Sequence, residues 1–357
     1  MTAPTADRLA LARAIYADLP LYDPKRAPVA LDLTDNTNLW GLPPTAERTL
    51  RELAVSAVTR YPSLYAGGLK PALAAWVGAT PEQIVTGCGS DDVLDSAMRA
   101  LAEPGDLVAS SDPSFAMIPI FAKMNALRWQ GVVERADHQP DVEGLLASGA
   151  RIIYVCTPNN PTGTAIARDA LERLVAGAPG MVVIDEAYAE FAGTTAVDLA
   201  TRSDRVLVVR TLSKAFGLAG LRLGYAVGAP ALVAEVEKSR GPYKANAIAE
   251  QVAAAAFAHD LDWVRAHVAL AVEARERLAE RLRALGLAPL PSAANFVCVP
   301  VPQCVAVGQA MRARGVAVRP FPGLPHVGDA LRMSVGPWPL VDQMLEAFRE
   351  ADREVNG

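Results

Sequence analysis

Lysine is scarce in this chain: six of 357 residues, the remaining basic side chains being arginine. A lysine in a chemically meaningful place therefore stands out. Cysteine is also sparse. Cys88, Cys156, Cys298 and Cys304 form no C-x-x-C pair, which argues against a zinc site or a disulfide framework and predicts buried free thiols. No metal site is expected. The formal net charge is −5, so the chain has no general attraction for nucleic acid or an anionic membrane, and any anion must be gripped locally. No apolar run reaches membrane-spanning length without charges or breakers. Met1–Ala10 includes Asp7 and lacks the apolar stretch of a signal peptide. These absences predict a cytoplasmic protein with no nucleic-acid and no membrane partner.

What is present suits a well-buried enzyme: 51% hydrophobic and 20% charged residues. The length exceeds what one core usually spans, so two packed lobes are expected. Residues 1–44 read as an irregular arm with a short amphipathic helix around Asp7–Ala17. Then short β-branched runs alternate with helical patterns. The strand candidates are Gln83–Thr86, Leu107–Ser110, Arg151–Cys156, Met181–Ile184, Val206–Val209 and Arg222–Val227. Several are apolar on both faces, as buried parallel strands are. Helical stretches such as Asp91–Leu101 and Arg168–Ala176 separate them. This alternation predicts an α/β fold with a large doubly wound, mostly parallel sheet over 45–245. Residues 246–286 are alanine-rich and helical. Short strands Asn295–Val299, Val316–Val318 and Leu331–Ser334 and a helix Leu340–Glu350 follow. With 1–44, residues 246–357 read as a smaller α+β domain.

Ligands of open α/β sheets bind outside the carboxyl ends of the strands. Four segments put polar residues there: 87–91 (Gly-Cys-Gly-Ser-Asp), 157–163 (Thr-Pro-Asn-Asn-Pro-Thr-Gly), 185–188 (Asp-Glu-Ala-Tyr) and 211–214 (Thr-Leu-Ser-Lys). If the strands are parallel, all four meet on one rim. The first is a glycine-rich turn opening a helix, which favours an anion; alone, it is as well explained by an ordinary turn with Asp91 or Asp92 serving the helix end. Asp185 ends an apolar strand, where a carboxylate needs a partner. Lys214 follows another, where desolvation turns a lysine into a nucleophile or base. Taken singly, a structural salt bridge or a solvated lysine would serve as well. Together, one lysine, one buried acid, an anion cradle, an asparagine and a tyrosine are the parts that pyridoxal 5′-phosphate needs.

Residues 213–225 (Ser-Lys-Ala-Phe-Gly-Leu-Ala-Gly-Leu-Arg-Leu-Gly-Tyr) resemble the lysine motif of fold-type I PLP enzymes, and most of all that of the histidinol-phosphate aminotransferase family. Asn160-Pro161-Thr162-Gly163 is similar to that family's N-P-T-G, and Asp185-Glu186-Ala187-Tyr188 to its D-E-A-Y. Arg60-Tyr61-Pro62, Asn295-Phe296-Val297 and residues 331–336 have counterparts in the same order, so the resemblance covers roughly 30–350. It implies an aspartate aminotransferase-like fold. It also implies that Lys214 carries PLP as a Schiff base and shuttles the substrate α-proton, that Asp185 pairs with the pyridine nitrogen, and that Asn160 and Tyr188 hold the phenolate oxygen. Gly89, Ser90, Asp91, Thr211, Ser213 and Arg222 would surround the phosphate, and Phe115 would stack on the ring. Tyr61 would reach the neighbouring subunit's phosphate, implying a homodimer with shared sites, although an aromatic anchor beside Pro62 explains it equally well.

Arg332 matches the arginine that binds the substrate's acidic group, and guanidinium suits a carboxylate or phosphate bidentately. Arg319 is a second candidate contact; a plain surface arginine is the competing explanation. The family's arm motif N-E-N-P-Y-G is here Asn36-Thr37-Asn38-Leu39-Trp40-Gly41. Asn38 and Gly41 survive, while Trp40 adds a flat apolar surface that either favours an aromatic substrate or packs against the other lobe. The expected activity is ping-pong transfer of an amino group from histidinol phosphate or an aromatic amino acid to a 2-oxo acid, with 2-oxoglutarate favoured. A decarboxylase of the threonine-phosphate type and a non-catalytic PLP-binding protein are the alternatives.

Overall fold

In a computed structural model, residues 12–17, 19, 21 and 27–357 are described. The strands of the main sheet follow one another in the chain after a short β1 (Leu31–Asp32): β2 (Ile84–Cys88), β3 (Leu107–Asp112), β4 (Arg128–Val133), β5 (Ile152–Cys156), β6 (Met181–Asp185), β7 (Val206–Thr211) and β8 (Leu223–Val227). The remaining strands are β9 (Phe296–Pro300), β10 (Val316–Ala317), β11 (Arg319–Leu324) and β12 (Gly328–Ser334).

The seven strands of the main sheet lie in the order β2-β8-β7-β6-β5-β3-β4. Strands β3 to β7 are parallel to their neighbours, while β8 runs antiparallel to both β7 and β2. Because β8 alone is reversed, β2 points the same way as β5, β6 and β7, and the carboxyl ends of all four lie on one rim. The alternation along the central strands explains their apolar sequences. Ile153, Val155, Val182, Ile184, Val206 and Val208 join a core on one face of the sheet. Ile152, Tyr154, Met181, Val183, Leu207 and Val209 join a second core on the other. Each such aliphatic side chain contributes on the order of 1.5–3 kcal/mol by leaving water.

The smaller sheets lie in the second half of the chain and its arm. Strand β12 pairs antiparallel with both β11 and β9, and β1 pairs parallel with β10. The expected long helical region divides into Ala247–His259 and Leu261–Ala284. The last helix runs Trp338–Asn356, longer than expected at both ends; Pro339 sits in its first turn, where its fixed φ suits a helix start.

Four sequence expectations need correction. Strand β4 was not anticipated: it is an edge strand with Arg128, Trp129 and Gln130 exposed, so it shows no apolar run. Arg222 is not in a strand; it takes a left-handed conformation (φ 54°) and β8 begins after it. Val316–Val318 is two residues of β10 and then a break before β11, which the sequence reading did not separate. Cys88 is exposed at the end of β2, while Cys156, Cys298 and Cys304 are buried. The helix expected over Asp7–Ala17 lies largely outside the described residues; within them, Ala14–Tyr16 forms one 3-10 turn. Among the described residues, no helix is long and apolar enough to cross a membrane.

Candidate active site

Lys214 stands three residues beyond the end of β7. Its Nζ donates to the Asp35 carbonyl at 2.5 Å and lies 5.9 Å from the centre of the Tyr188 ring. Burial, and then the nearby Arg332 guanidinium, lower its pKa to about 8. A useful fraction is therefore the neutral, nucleophilic amine near neutral pH.

Asp185 closes β6 and is 4% exposed. Its Oδ2 accepts from the Tyr154 hydroxyl at 2.8 Å and its Oδ1 from the Ala187 amide at 3.0 Å. Burial raises its pKa to about 6, and those two hydrogen bonds work against the rise. Both donors are neutral, so the carboxylate has the character of a group built to face a further cation. Tyr188 is buried, accepts from Asn36 Nδ2 at 3.0 Å, and has its pKa pushed up to about 12 by burial.

The anion cradle lies where β2 turns into the helix Gly89–Leu101. Gly89 has φ +83°, and a Cβ there would stand 2.5 Å from an Arg222 nitrogen. A Cβ on Gly224 would meet the Ser90 amide at 2.2 Å. Only glycine permits this approach of backbone, guanidinium and helix start, which together favour an anion. Thr211 Oγ1 donates to Ser213 Oγ at 3.0 Å and accepts from the Ser213 amide at 3.1 Å. Asp91 lies 3.6 Å from Arg222, and burial raises its pKa. The helix end is instead served by Asp92, which accepts from the Cys88 amide at 3.0 Å and pairs with Lys244 at 2.9 Å.

Arg332, on β12, is 6% exposed. It donates to Asn160 Oδ1 at 2.5 Å and to the Thr34 carbonyl, and its guanidinium carbon lies 5.4 and 5.5 Å from the rings of Phe296 and Phe321. Asn160 is thus held beside Arg332. Arg319 is the direct cross-strand partner of Arg332 on β11. Like charges opposite one another repel, and Arg319 helps to lower the pKa of Arg332, after burial. An anion between them would relieve both costs.

The arm crosses the same region. Asn38 donates to the Ala215 carbonyl at 3.2 Å and accepts from the Trp40 amide at 2.8 Å. The Trp40 ring meets His267 edge-on at 6.5 Å, and His267 stacks on Trp263. Trp40 therefore packs against the helix Leu261–Ala284. Phe115 is half-buried against the core that contains Val85 and Val209. Tyr61 stands apart: it is 83% exposed and stacks on Tyr243 at 4.8 Å.

Two members of this site escaped the sequence reading. Tyr154 looked like one more residue of a buried strand, although a buried phenol usually takes a partner. Asn36 has φ 54°, is 1% exposed, and links Tyr188 to Ser334 and Asn295. The lysine, the partly satisfied carboxylate and the glycine-bounded cradle fit PLP: its aldehyde carbon, protonated ring nitrogen and phosphate would each have a matching group.

Comparison with known proteins bears on the same site. A family profile described as "Aminotransferase class I and II" matches residues 29–348. The chain is 41% identical over 317 residues to a histidinol-phosphate aminotransferase of Chromobacterium violaceum, covering 86% of this chain and 88% of that one. It is 36% identical over 334 residues to an aromatic amino acid aminotransferase of Nocardia farcinica, covering 90% and 91%. The fold matches the crystal structure of a histidinol-phosphate aminotransferase from Sinorhizobium meliloti in complex with PLP, with TM-score 0.89, 27% identity and 98% and 99% coverage.

Proposed function

Because this chain belongs to the class I and II aminotransferases, with PLP as cofactor, we propose that it moves the amino group of histidinol phosphate to a 2-oxo acid, with 2-oxoglutarate the favoured acceptor. The observation that carries this reading is the buried Arg332 facing Arg319 across β11 and β12 beside Asn160. Two guanidinium forks suit a phosphate dianion better than a single carboxylate. An aromatic amino acid is the second donor class, supported by the Nocardia relative; the engagement of Trp40 with His267 takes that ring out of its favour.

When bound, the cofactor supplies a carbonyl for the donor's amine and a ring that absorbs the electrons released at the donor's α-carbon. In our reading Lys214 holds the cofactor at rest and moves the α-proton once released. Asp185 holds the proton on the ring nitrogen, and Tyr188 and Asn160 fix the ring oxygen. Gly89, Ser90, Asp91, Thr211, Ser213 and Arg222 enclose the phosphate, and Phe115 covers the ring. Asn38 and Trp40 position the arm over the substrate. We further propose that residues 45–245 form the cofactor-binding domain and that 1–44 with 246–357 form the domain bearing the substrate arginines. Tyr61 would complete a second copy's site in a homodimer. The exposed Val55, Val58 and Leu64 near it in sequence are in keeping with a covered surface.

The test is an absorption spectrum of the PLP-loaded protein before and after L-histidinol phosphate, without keto acid. Conversion of the lysine-bound band to that of the aminated cofactor supports the donor. A band that converts only with aromatic amino acids replaces the donor. Carbon dioxide release from threonine phosphate replaces transamination with decarboxylation.

A further inference from the structure

We propose that Tyr154 is a positioning residue that keeps Asp185 ionised and aimed at the cofactor's ring nitrogen. This rests on the reading of Asp185 given above. Tyr154 is the third residue of β5, is 0% exposed, and lies among Ile152, Val183 and Val209. On a central strand the backbone acceptors are committed to the ladder, so a side chain is the acceptor open to its hydroxyl; the buried Tyr225 on β8 finds none, which marks the Tyr154 contact out. The register supplies one: Tyr154 lies opposite Val183 and Cys156 opposite Asp185. The phenol reaches diagonally along the neighbouring strand, a span of roughly 7–8 Å that a tyrosine covers. Its hydroxyl then meets Asp185 Oδ2 at 2.8 Å.

The hydrogen bond has a single direction. Burial pushes the Tyr154 phenol well above its ordinary pKa, so it acts as donor and keeps its proton. The other titratable groups facing Asp185 are Cys156, Asp91, Glu186 and Tyr188, the last a buried phenol that keeps its proton. The Cys156 thiol donates to the Pro158 carbonyl at 3.2 Å, and Glu186 is held by Arg210 at 2.8 Å. Asp91 and Glu186 both disfavour charge on Asp185, as burial does. Only the Ala187 amide and Tyr154 oppose them by hydrogen bonding. With Oδ1 served by Ala187 and Oδ2 by Tyr154, each oxygen keeps one lone pair for a further donor. Tyr154 therefore helps to keep the carboxylate charged and fixes the direction in which the remaining lone pair of Oδ2 points.

The experiment measures the dissociation constant of PLP between about pH 5 and 8.5, with thermal melts in parallel. The proteins are the wild type, Tyr154→Phe, Asp185→Asn and the double variant. Wild-type affinity should weaken as pH falls through about 6, where Asp185 takes up a proton. Loss of one hydrogen bond to a charged group should move that weakening up by about 1–2 pH units in Y154F, with affinities within roughly threefold at the alkaline end. D185N should lose the Asp185 component and keep only the pH dependence of the PLP phosphate and of Lys214, and adding Y154F to it should change nothing further. If Y154F does not fold, Tyr154→Met fills the same apolar site without a donor and carries the same test. A loss of affinity that is even across pH, or an unmoved midpoint, overturns the role of Tyr154 while leaving Asp185 as read. A pH profile identical in wild type and D185N, or a wild type that does not bind PLP, overturns both.

Discussion

Replacing Arg332 with glutamine separates the cost of burying a cation from its use. Arg332 is 6% exposed, and among the described residues its hydrogen-bond acceptors are Asn160 Oδ1 and the Thr34 carbonyl, neither of them charged. The fold carries the desolvation of this guanidinium with a like charge, Arg319, as its cross-strand partner. Such a cation stabilises little before an anion arrives. The apo protein's melting temperature should therefore stay within about 3 °C in R332Q. Substrate should behave differently. A guanidinium gives an anion two charge-assisted hydrogen bonds at about 1.5–3 kcal/mol each, and glutamine returns one neutral bond of about 1 kcal/mol. The net loss of about 3 kcal/mol corresponds to roughly a hundredfold fall in kcat/KM. In the proposed reading it should appear for the donor and for the 2-oxo acid, since both would present an acidic group to the same arginine. A second readout is independent of substrate. Arg332 follows burial as a cause of the lowered Lys214 pKa, so its loss should move the pH at which apo protein captures PLP to higher values. Steady-state kinetics in both half-reactions, together with the capture profile, test the argument. A change in kcat/KM below about threefold in a protein that still binds PLP would refute it.

Three further outcomes follow from the geometry. In the wild type, the rate of PLP capture should rise with pH and level off near 8, where Lys214 loses its proton, not near its ordinary value of 10.5; stopped-flow absorbance reads this directly. Gly89→Ala places a Cβ at φ +83° and 2.5 Å from Arg222, and should weaken PLP binding by at least about tenfold with a smaller effect on the melting temperature of the apo form. Glu134 is 3% exposed, 2.8 Å from His138, and burial raises its pKa to about 7. Between its ordinary value of 4.5 and about 7 the folded chain keeps a proton that the unfolded chain releases, so this group makes stability fall as pH rises. Glu134→Gln should remove that component of the slope in urea melts across the range.

Much of the fold was legible because the central strands are buried on both faces and so carry continuous apolar runs. Met181–Ile184 and Val206–Val209 needed no tertiary information. Strand β4 was hidden for the opposite reason: an edge strand half in water keeps Arg128 and Gln130, and its pairing comes from β3. Arg222 looked like strand because leucine and glycine follow it, while its left-handed φ is imposed by the turn that aims it at Gly89. The site was legible as far as its polar residues end strands. Lys214, Asp185, Tyr188 and Gly89 announce themselves by contrast with what precedes them. Tyr154 and Asn36 do not, since their role depends on which strand lies alongside and on an arm more than a hundred residues away in sequence. The orientation of Trp40 was likewise undecidable locally, because its partner His267 comes from a distant helix.

The reversal of β8 has a mechanical consequence. Since β7 and β8 are antiparallel neighbours, the segment between them is a return loop on one rim, pinned where the Leu212 and Leu218 amides donate to the Leu223 and Leu212 carbonyls, each at 3.0 Å. Lys214 and Arg222 are the two pegs of that loop. The separation of their backbones is set by a local hairpin, like the jaws of a calliper set by one screw, while the arm touches the same loop through Asp35 and Asn38. A shift of the arm or β12 should then leave the backbone of this loop in place and reach the cofactor only through side-chain contacts, those of Asp35 with Lys214, Asn36 with Tyr188 and Arg332 with Asn160.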